Sequence, residues 1–443
     1  MTQNWDVVII GGGLAGYVAA NYLSKTNLSI LIVEKGKQVG GRARTNQMNQ
    51  QYFNLGPHAL YKKGKAMPIL EDLGIHLDGK SPKLAGIFFE NNIEYAAPLS
   101  PLGLFTTRLL NGKERIEWMT VLVKLMNTEP ERFAAQTFQQ WVRQVTPSKK
   151  VESLLYTLAR LATYCHAPET VSAKVTLSNM KSATGGVLYL DGGWQTLIDQ
   201  LHHKAILSGV QVQSHSVVKK MEPVDENHLR PIPKDIKLVL SNNEEILANH
   251  VICTTGPHEL NEMLPDNNKN NFFTQITPIR GATLDVALTQ LPNPKRLFAM
   301  SVTDPLYYSV HSTYARLSDN KNSAVLHVFK YHHPDDIHDR TSIKNELEQF
   351  LDKLQPGWQQ YVIARRFIPN ITVNQRLPQI GDEQKLHRSK TAIPGLYLAG
   401  DWASPDSILA DGAVSSAKQA AEAIILNEAR KNSANHEGRI PTI

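Results

Sequence analysis

Three glycines and one acid carry the most legible chemistry of the chain. Gly11, Gly13 and Gly16 stand at the spacing G-x-G-x-x-G, and Glu34 closes the second apolar run after them. That pattern suits a pyrophosphate held against bare backbone. Gly11 permits a tight turn, Gly13 removes the Cβ that would keep a phosphate away, and Gly16 lets a helix pack closely on the preceding strand. Glu34 offers an acceptor to a ribose hydroxyl and would repel a 2′-phosphate, which points to FAD or NAD rather than NADP. The elements that must position these groups are readable on either side. Asp6 to Ile10 is a β-branched run long enough for one strand buried on both faces, and Leu28 to Val33 is a second. Between them Tyr17 to Leu23 reads as a helix. Leu14 and Ala15 stand at its opening, where unpaired N–H groups and a partial positive charge favour an anion.

Glu34 is followed by Lys35, Gly40, Gly41, Arg42, Arg44 and Thr45, in the pattern E-K-x(4)-G-G-R-x-x-T. A nicotinamide-binding unit does not need that extension. The stretch resembles the glutathione-reductase-like FAD family, in its branch containing amine oxidases, protoporphyrinogen oxidases and phytoene desaturases. The resemblance implies that Lys35, Gly41 and Arg42 belong to an FAD site, with the glycine amides and the arginine around the ribose and diphosphate. It also implies that the turn Gly56-Pro57 lies beside the flavin ring, so that His58 faces the isoalloxazine edge or the substrate. A lone histidine is, however, more often a hydrogen-bonded structural residue. Val218, in a strand expected over Ser216 to Met221, matches the valine whose backbone holds the adenine in relatives. The expected strand Glu245 to Cys253 runs into Thr254-Thr255-Gly256-Pro257. This is similar to the family's A-T-G motif, in which Thr255 and Gly256 let the backbone pass under the dinucleotide.

A second motif lies almost 400 residues from the first. Leu396 to Ala399 is an apolar run that ends in Gly400-Asp401, and a helix is expected to begin near Gly412-Ala413. By the resemblance, Asp401 accepts a ribityl or phosphate-linked hydroxyl, while Gly412 and Ala413 turn a helix N-terminus toward the flavin N1–O2 edge. The polar tail after Asn427 reads as frayed.

At 443 residues, 42% hydrophobic and 20% charged, the chain has a globular composition and is long enough for two intertwined domains. The fold class expected is α/β, a Rossmann-like FAD-binding domain with an interleaved α+β substrate domain of mixed or antiparallel sheet plus helices. By the resemblance, residues 1–65, 183–278 and 385–443 form the FAD domain and its C-terminal tail. Residues 66–182 supply a helical part of the substrate domain and 279–384 its sheet. The runs ATLDVAL, RLFAMSV, YYSVHSTYA and SAVLHVFKY in that last segment alternate as antiparallel strands do. Pro223 to Asp235 reads as a loop or hairpin arm.

Two cysteines, Cys165 and Cys253, build neither a disulfide framework nor a cysteine metal site, and no metal is expected. They read as buried thiols in a reducing compartment, and the expected location is cytoplasmic. The net charge of +6 comes without a basic block interleaved with aromatics, so nucleic acid is not an expected partner. Within residues 66–165, read as mostly helical, Trp118, Val121, Leu122 and Leu125 make one apolar stripe. Arg108, Lys113, Arg115 and Lys124 accompany it, so a weak membrane-surface association is permitted, although such a stripe more often packs into its own domain.

The reading is therefore an enzyme with noncovalent FAD: no cysteine stands near Asp401 to carry a covalent link. It resembles a phytoene desaturase or protoporphyrinogen oxidase, removing a hydride from a largely apolar small molecule to flavin N5. The alternatives are an amine oxidase producing hydrogen peroxide, and a non-enzymatic binding protein like the GDP-dissociation inhibitors. Some amine oxidases hold a lysine near N5 through water. Lys330 is the candidate for it here, against the plainer reading of a lysine at a strand end. No catalytic residue is identified, and oligomeric state is not read.

Overall fold

The structure, a computed structural model, describes residues 3–83, 85–224, 235–337, 339–388 and 393–437. The loop expected over Pro223 to Asp235 lies almost wholly outside the described residues.

β1 (Gln3–Ile10), α1 (Leu14–Leu23) and β2 (Ile30–Val33) form the expected βαβ unit, with β1 and β2 parallel. The helix begins earlier than its apolar pattern suggested, directly from the glycine turn. All ten residues of α1 are buried, so it is an interior helix with no solvent face. Its wrapping comes from Gln195–Leu207 on one side and Leu409–Glu437 on the other, whose Leu197, Ile198, Val414 and Ala417 share one core with Tyr17, Val18 and Ala20.

The sheet around β1 has seven strands assembled from distant parts of the chain. Gln211–Gln213, β2, β1 and Glu245–Cys253 run parallel in that order, and Leu396–Leu398 pairs parallel with Glu245–Cys253. Asp235–Leu240 and Val218–Val224 extend it as antiparallel strands. The parallel strands are apolar on both faces, because helices cover one side and a second core, with Val8, Leu31, Leu238, Val251 and Trp402, covers the other.

A second seven-stranded sheet follows the order Val362–Asn374, Ile279–Leu288, Ala324–Tyr331, Leu306–Ser309, Phe298–Ser301, Ile87–Glu90, Ile93–Ala96. It is antiparallel except where Phe298–Ser301 meets Ile87–Glu90. Side chains alternate between its faces. Leu284, Val286, Leu326 and Val328 pack on the helix Arg340–Leu354, and Phe329, Tyr331 and Tyr307 face the helical segment instead.

Three expectations need correction. The segment read as mostly helical also contributes the hairpin Ile87–Glu90 and Ile93–Ala96 to the second sheet. Its short apolar run, IFFE, carries too few residues to separate strand from helix by periodicity. The tail after Asn427 is not frayed at once, because the last helix continues to Glu437. The basic amphipathic stretch is two helices, Pro101–Thr106 and Gly112–Asn127, the second opened by a capping box between Asn111 and Glu114.

Candidate functional site

The glycine turn is held by its neighbours through specific bonds. Gly11 has φ +108°, a left-handed conformation, and a Cβ there would lie 2.5 Å from the Thr254 Oγ1. That hydroxyl donates to the carbonyls of Ile10 (2.8 Å) and Gly11 (3.1 Å), tying the end of Glu245–Cys253 to the turn. A Cβ on Gly16 would run into the Gly11 carbonyl oxygen, so only glycine allows the helix to sit this close. Gly13 differs. Its Cβ would meet nothing nearer than the Gly40 carbonyl at 3.9 Å, and no side chain caps the helix start that follows, with Leu14 and Ala15 in its first turn.

Glu34 is buried at the end of β2 and does more than wait for a ribose. Its Oε2 accepts from the Gly12 N–H (2.7 Å) and its Oε1 from the Gly36 N–H (2.6 Å), so it braces the turn as well. A carboxylate oxygen has a second lone pair, which leaves acceptor capacity for a hydroxyl. Ser216 N–H reaches the Glu34 carbonyl, bringing the segment leading to Val218 beside it. The Val218 side chain itself is in the core. Lys35 is exposed and makes no ion pair among the described residues.

Arg42 and Asp401 meet although 359 positions separate them. Arg42 donates through both terminal nitrogens to the two Asp401 oxygens, at 2.6 and 2.8 Å, and also to the Val373 carbonyl. Asp401 further accepts from the Gln375 N–H. Desolvation disfavours the Arg42 charge, but Asp401 outweighs it and the arginine stays firmly protonated. The Asp401 side chain is 3% exposed and the Arg42 side chain 41%, so the arginine is the more accessible member of the pair. Gly41, with φ +56°, puts its missing Cβ 3.5 Å from the Gly13 Cα, which sets these two bare backbone stretches opposite each other.

The remaining candidates complete the ring. Gly400 (φ +126°) is pinned by Ser416, and the Thr255 carbonyl accepts from the Trp402 indole N–H. Gly256 caps the short helix Pro257–Met263. Gly412 and Ala413 lie within the opening turns of the last helix rather than at its head: the helix starts at Leu409, and the Gly412 N–H already donates to the Ile408 carbonyl. Asn374 takes the Leu409 N–H. A Cβ on Gly412 would lie 2.9 Å from the Ser407 carbonyl, so glycine serves close packing there.

At the other end of the cleft the Gly56 turn (φ +83°) touches the second sheet: its Cβ would lie 3.0 Å from Ile371 and 3.8 Å from Thr283. The Pro57 carbonyl accepts from the Tyr164 hydroxyl (2.9 Å). His58 Nδ1 and Nε2 lie 3.1 Å from the Gly56 and Arg42 carbonyls. Burial drives its pKa down to about 4, so the ring is neutral, has one N–H, and bonds only one of the two carbonyls at a time.

The sequence did not lead to the group on the inner face of the second sheet. Arg366, Asp285 and His327 stand side by side in register on three adjacent strands. Asp285 Oδ1 lies 2.7 Å from His327 Nδ1 and accepts from Thr283 (2.7 Å), while its Oδ2 accepts from Arg366 Nε (3.0 Å). Arg366 also donates to the Asn54 carbonyl, just before the Gly56 turn. Burial alone would raise the Asp285 carboxyl, but His327 and Arg366 hold it below its usual range. Along the same face Tyr164 packs against Phe329 and Tyr331, forming an aromatic wall beside Pro57. The available signal was a lone acid in ATLDVAL and a lone histidine in AVLHVF, each polar at an otherwise apolar strand position. Thr254, a threonine where the similar family motif has alanine, is the side chain that ties the strand Glu245–Cys253 to the glycine turn. Lys330 points the opposite way, to Glu346 on the outer helix.

The family described as flavin containing amine oxidoreductase matches residues 14–425. The chain belongs to that family. FAD is thus the cofactor, and the bare backbone at Gly13 and Gly41, the uncapped helix start and the part-exposed, positively charged Arg42 fit a dinucleotide diphosphate. Among curated relatives, 15-cis-phytoene desaturase of an Oncidium hybrid cultivar is 23% identical over 95% of this chain and 78% of its own length. L-amino acid oxidase bordonein-L of Crotalus durissus terrificus is 23% identical over 59% of this chain. The matched stretches span about half the length of such L-amino acid oxidases. The solved structure of cyclohexylamine oxidase from Brevibacterium oxydans IH-35A superposes with a TM-score of 0.70, covering 95% of this chain and 98% of its own, at 16% identity. That likeness concerns the fold. This member of the flavin containing amine oxidoreductases has no helix, among its described residues, long and apolar enough to cross a membrane.

Proposed function

We propose that this chain is an FAD-dependent dehydrogenating enzyme of the phytoene desaturase or protoporphyrinogen oxidase kind, acting on a largely apolar small molecule. The observation that carries the reading is Lys330, the candidate for the amine-oxidase lysine, which is turned outward to Glu346. The inner face of its strand carries Phe329 and Tyr331 instead, packed with Tyr164 beside Pro57. A site that handled a charged amine through a lysine-bound water would need that ammonium on the inner face. Support also comes from the desaturase relative, whose match runs along 95% of the chain.

The flavin supplies the hydride acceptor. The chain's own residues bind and orient. Arg42, neutralised from behind by Asp401, offers N–H donors to a phosphate without leaving an uncompensated charge in the cleft. Glu34 accepts from a ribose hydroxyl while fixing the turn. Neutral His58 shapes the loop beside the ring and is not charged at pH 7. Dehydrogenation would send a hydride to the flavin and release a proton from the neighbouring atom to water at the mouth of the site.

The domain boundaries given above, noncovalent attachment and a cytoplasmic location belong to the same proposal. Cys253 stands near Thr255, but burial pushes its thiol up to about 11, which disfavours the thiolate a covalent link would need. Cys165 and Cys253 are both free and buried, in keeping with a reducing compartment.

The test is a visible spectrum of the purified protein before and after denaturation, followed by anaerobic titration. We expect flavin bands that are released as free FAD, and bleaching by a polyene or porphyrinogen but not by simple amines. Bleaching by amines with peroxide release would replace the desaturase reading with amine oxidation. A colourless protein that refuses added FAD would overturn the enzyme reading in favour of a binding protein.

A further inference from the structure

The helix Gly112–Asn127 carries two apolar stripes, and only one is used by the fold. Trp118, Val121 and Leu125 are buried against the helical segment's core. Ile116, Met119, Val123 and Met126, at i, i+3, i+7 and i+10, form a second stripe on the opposite side and are exposed. Ile116 is 64% and Val123 61% exposed. The preceding helix Pro101–Thr106 buries none of its residues and adds Leu102 at 73% and Phe105 at 70%. Elsewhere among the described residues, exposed large apolar side chains stand singly or as the single adjacent pair Ile206 and Leu207. Six exposed apolar side chains on two consecutive helices are therefore a feature of this segment and not of the surface in general.

The charges around the patch decide what covers it. Lys113 and Lys124 flank the outward stripe, and Arg108 lies in the connection between the two helices. All three are exposed, and none is in an ion pair among the described residues. The acids of the helix are engaged elsewhere: Glu114 closes the capping box and Glu117 bonds Thr146. A symmetric second copy would set lysines against lysines across the contact. An anionic bilayer surface meets both demands, taking the apolar stripe into the acyl boundary and the lysines at the headgroups.

We propose that residues 101–126 are a monotopic docking surface for anionic phospholipid, with Leu102, Phe105, Ile116, Met119, Val123 and Met126 inserted and Arg108, Lys113 and Lys124 at the headgroups. The proposal stands apart from the flavin reading, because its test measures lipid binding and not turnover.

The full chain is sedimented with vesicles of phosphatidylcholine alone and of phosphatidylcholine with phosphatidylserine. Binding is expected to the second and weakly, if at all, to the first. Ile116→Glu with Val123→Glu changes only exposed positions, and thermal melting checks that the fold survives. It should lower partitioning by about tenfold or more. Lys113→Gln with Lys124→Gln, which leaves the apolar stripe intact, should lower it by about tenfold and remove most of the preference for phosphatidylserine. The proposal is overturned if the wild type stays in the supernatant with anionic vesicles, or if both double variants bind as the wild type does. It is equally overturned if the patch variants abolish a wild-type dimer in solution while vesicle binding is absent throughout.

Discussion

The two large sheets solve their tasks with different materials. Around β1 the cleft is lined by backbone: Gly11, Gly13, Gly16, Gly41 and Gly400 bring main-chain groups close, and a few side chains, Thr254, Glu34 and Asp401, lock that backbone in place. In the second sheet the chemistry is in side chains, with Arg366, Asp285 and His327 aligned across three strands and an aromatic wall from Tyr164, Phe329 and Tyr331. The first arrangement tolerates little change in position and much in composition nearby. The second tolerates neither the loss of a partner nor its relocation, because buried charges depend on one another.

That contrast makes graded predictions. The largest effect is expected in the second sheet. Asp285→Ala leaves Arg366 and His327 without their acceptor in a dry interior, and unfolding in urea should show a loss of about 4 kcal/mol. A loss below about 1 kcal/mol would mean that the cluster is solvated and the comparison fails. Next comes Gly16→Ala, whose methyl group collides with the Gly11 carbonyl; about 2 kcal/mol and most flavin retention should be lost together. Gly13→Ala sharpens the difference, since the space beside it is open and its φ of −88° suits alanine. Apoprotein stability should stay within about 0.5 kcal/mol, while flavin retention, read from visible absorbance per protein, falls steeply.

The pH response carries the same signature more gently. Burial lowers His58 from 6.5 to about 4 and takes His311 well below its ordinary value, with His327 adding to that effect. Because the unfolded chain takes up these protons first, the stability they contribute is present above pH 6.5 and is lost as pH falls toward about 4. Asp285, held low in the fold, adds a loss at still lower pH. Thermal melting should therefore weaken steadily below neutrality, and the His58→Gln variant should flatten the upper part of that curve. Smallest of all, neither thiol should react with a disulfide reagent in the native state, since burial raises Cys165 to about 12 and Cys253 to about 11.

What the sequence made legible follows the same division. Backbone sites demand glycine at fixed short spacings, so Gly11 to Gly16, Glu34 and Gly40 to Arg42 could be read from one stretch. Side-chain sites are assembled by pairing: Asp285 meets His327 and Arg366 only through strand register, which no local pattern encodes. The same limit hid the hairpin Ile87–Ala96, whose partner strand begins at Phe298. Periodicity did mark the stripe of Trp118, Val121 and Leu125 that the fold buries, but not the second, exposed stripe on Gly112–Asn127.

The strand Leu396–Leu398 has a consequence for how the molecule is made. It lies next to Glu245–Cys253 in the first sheet and delivers Asp401 to Arg42, so the nucleotide site stays open at one wall until Asp401 has left the ribosome. Pairings this distant in sequence form slowly and late. Flavin capture is then a post-synthetic event, and a nascent or truncated chain ending before 396 would carry its nucleotide motif intact and still have no means of keeping the cofactor.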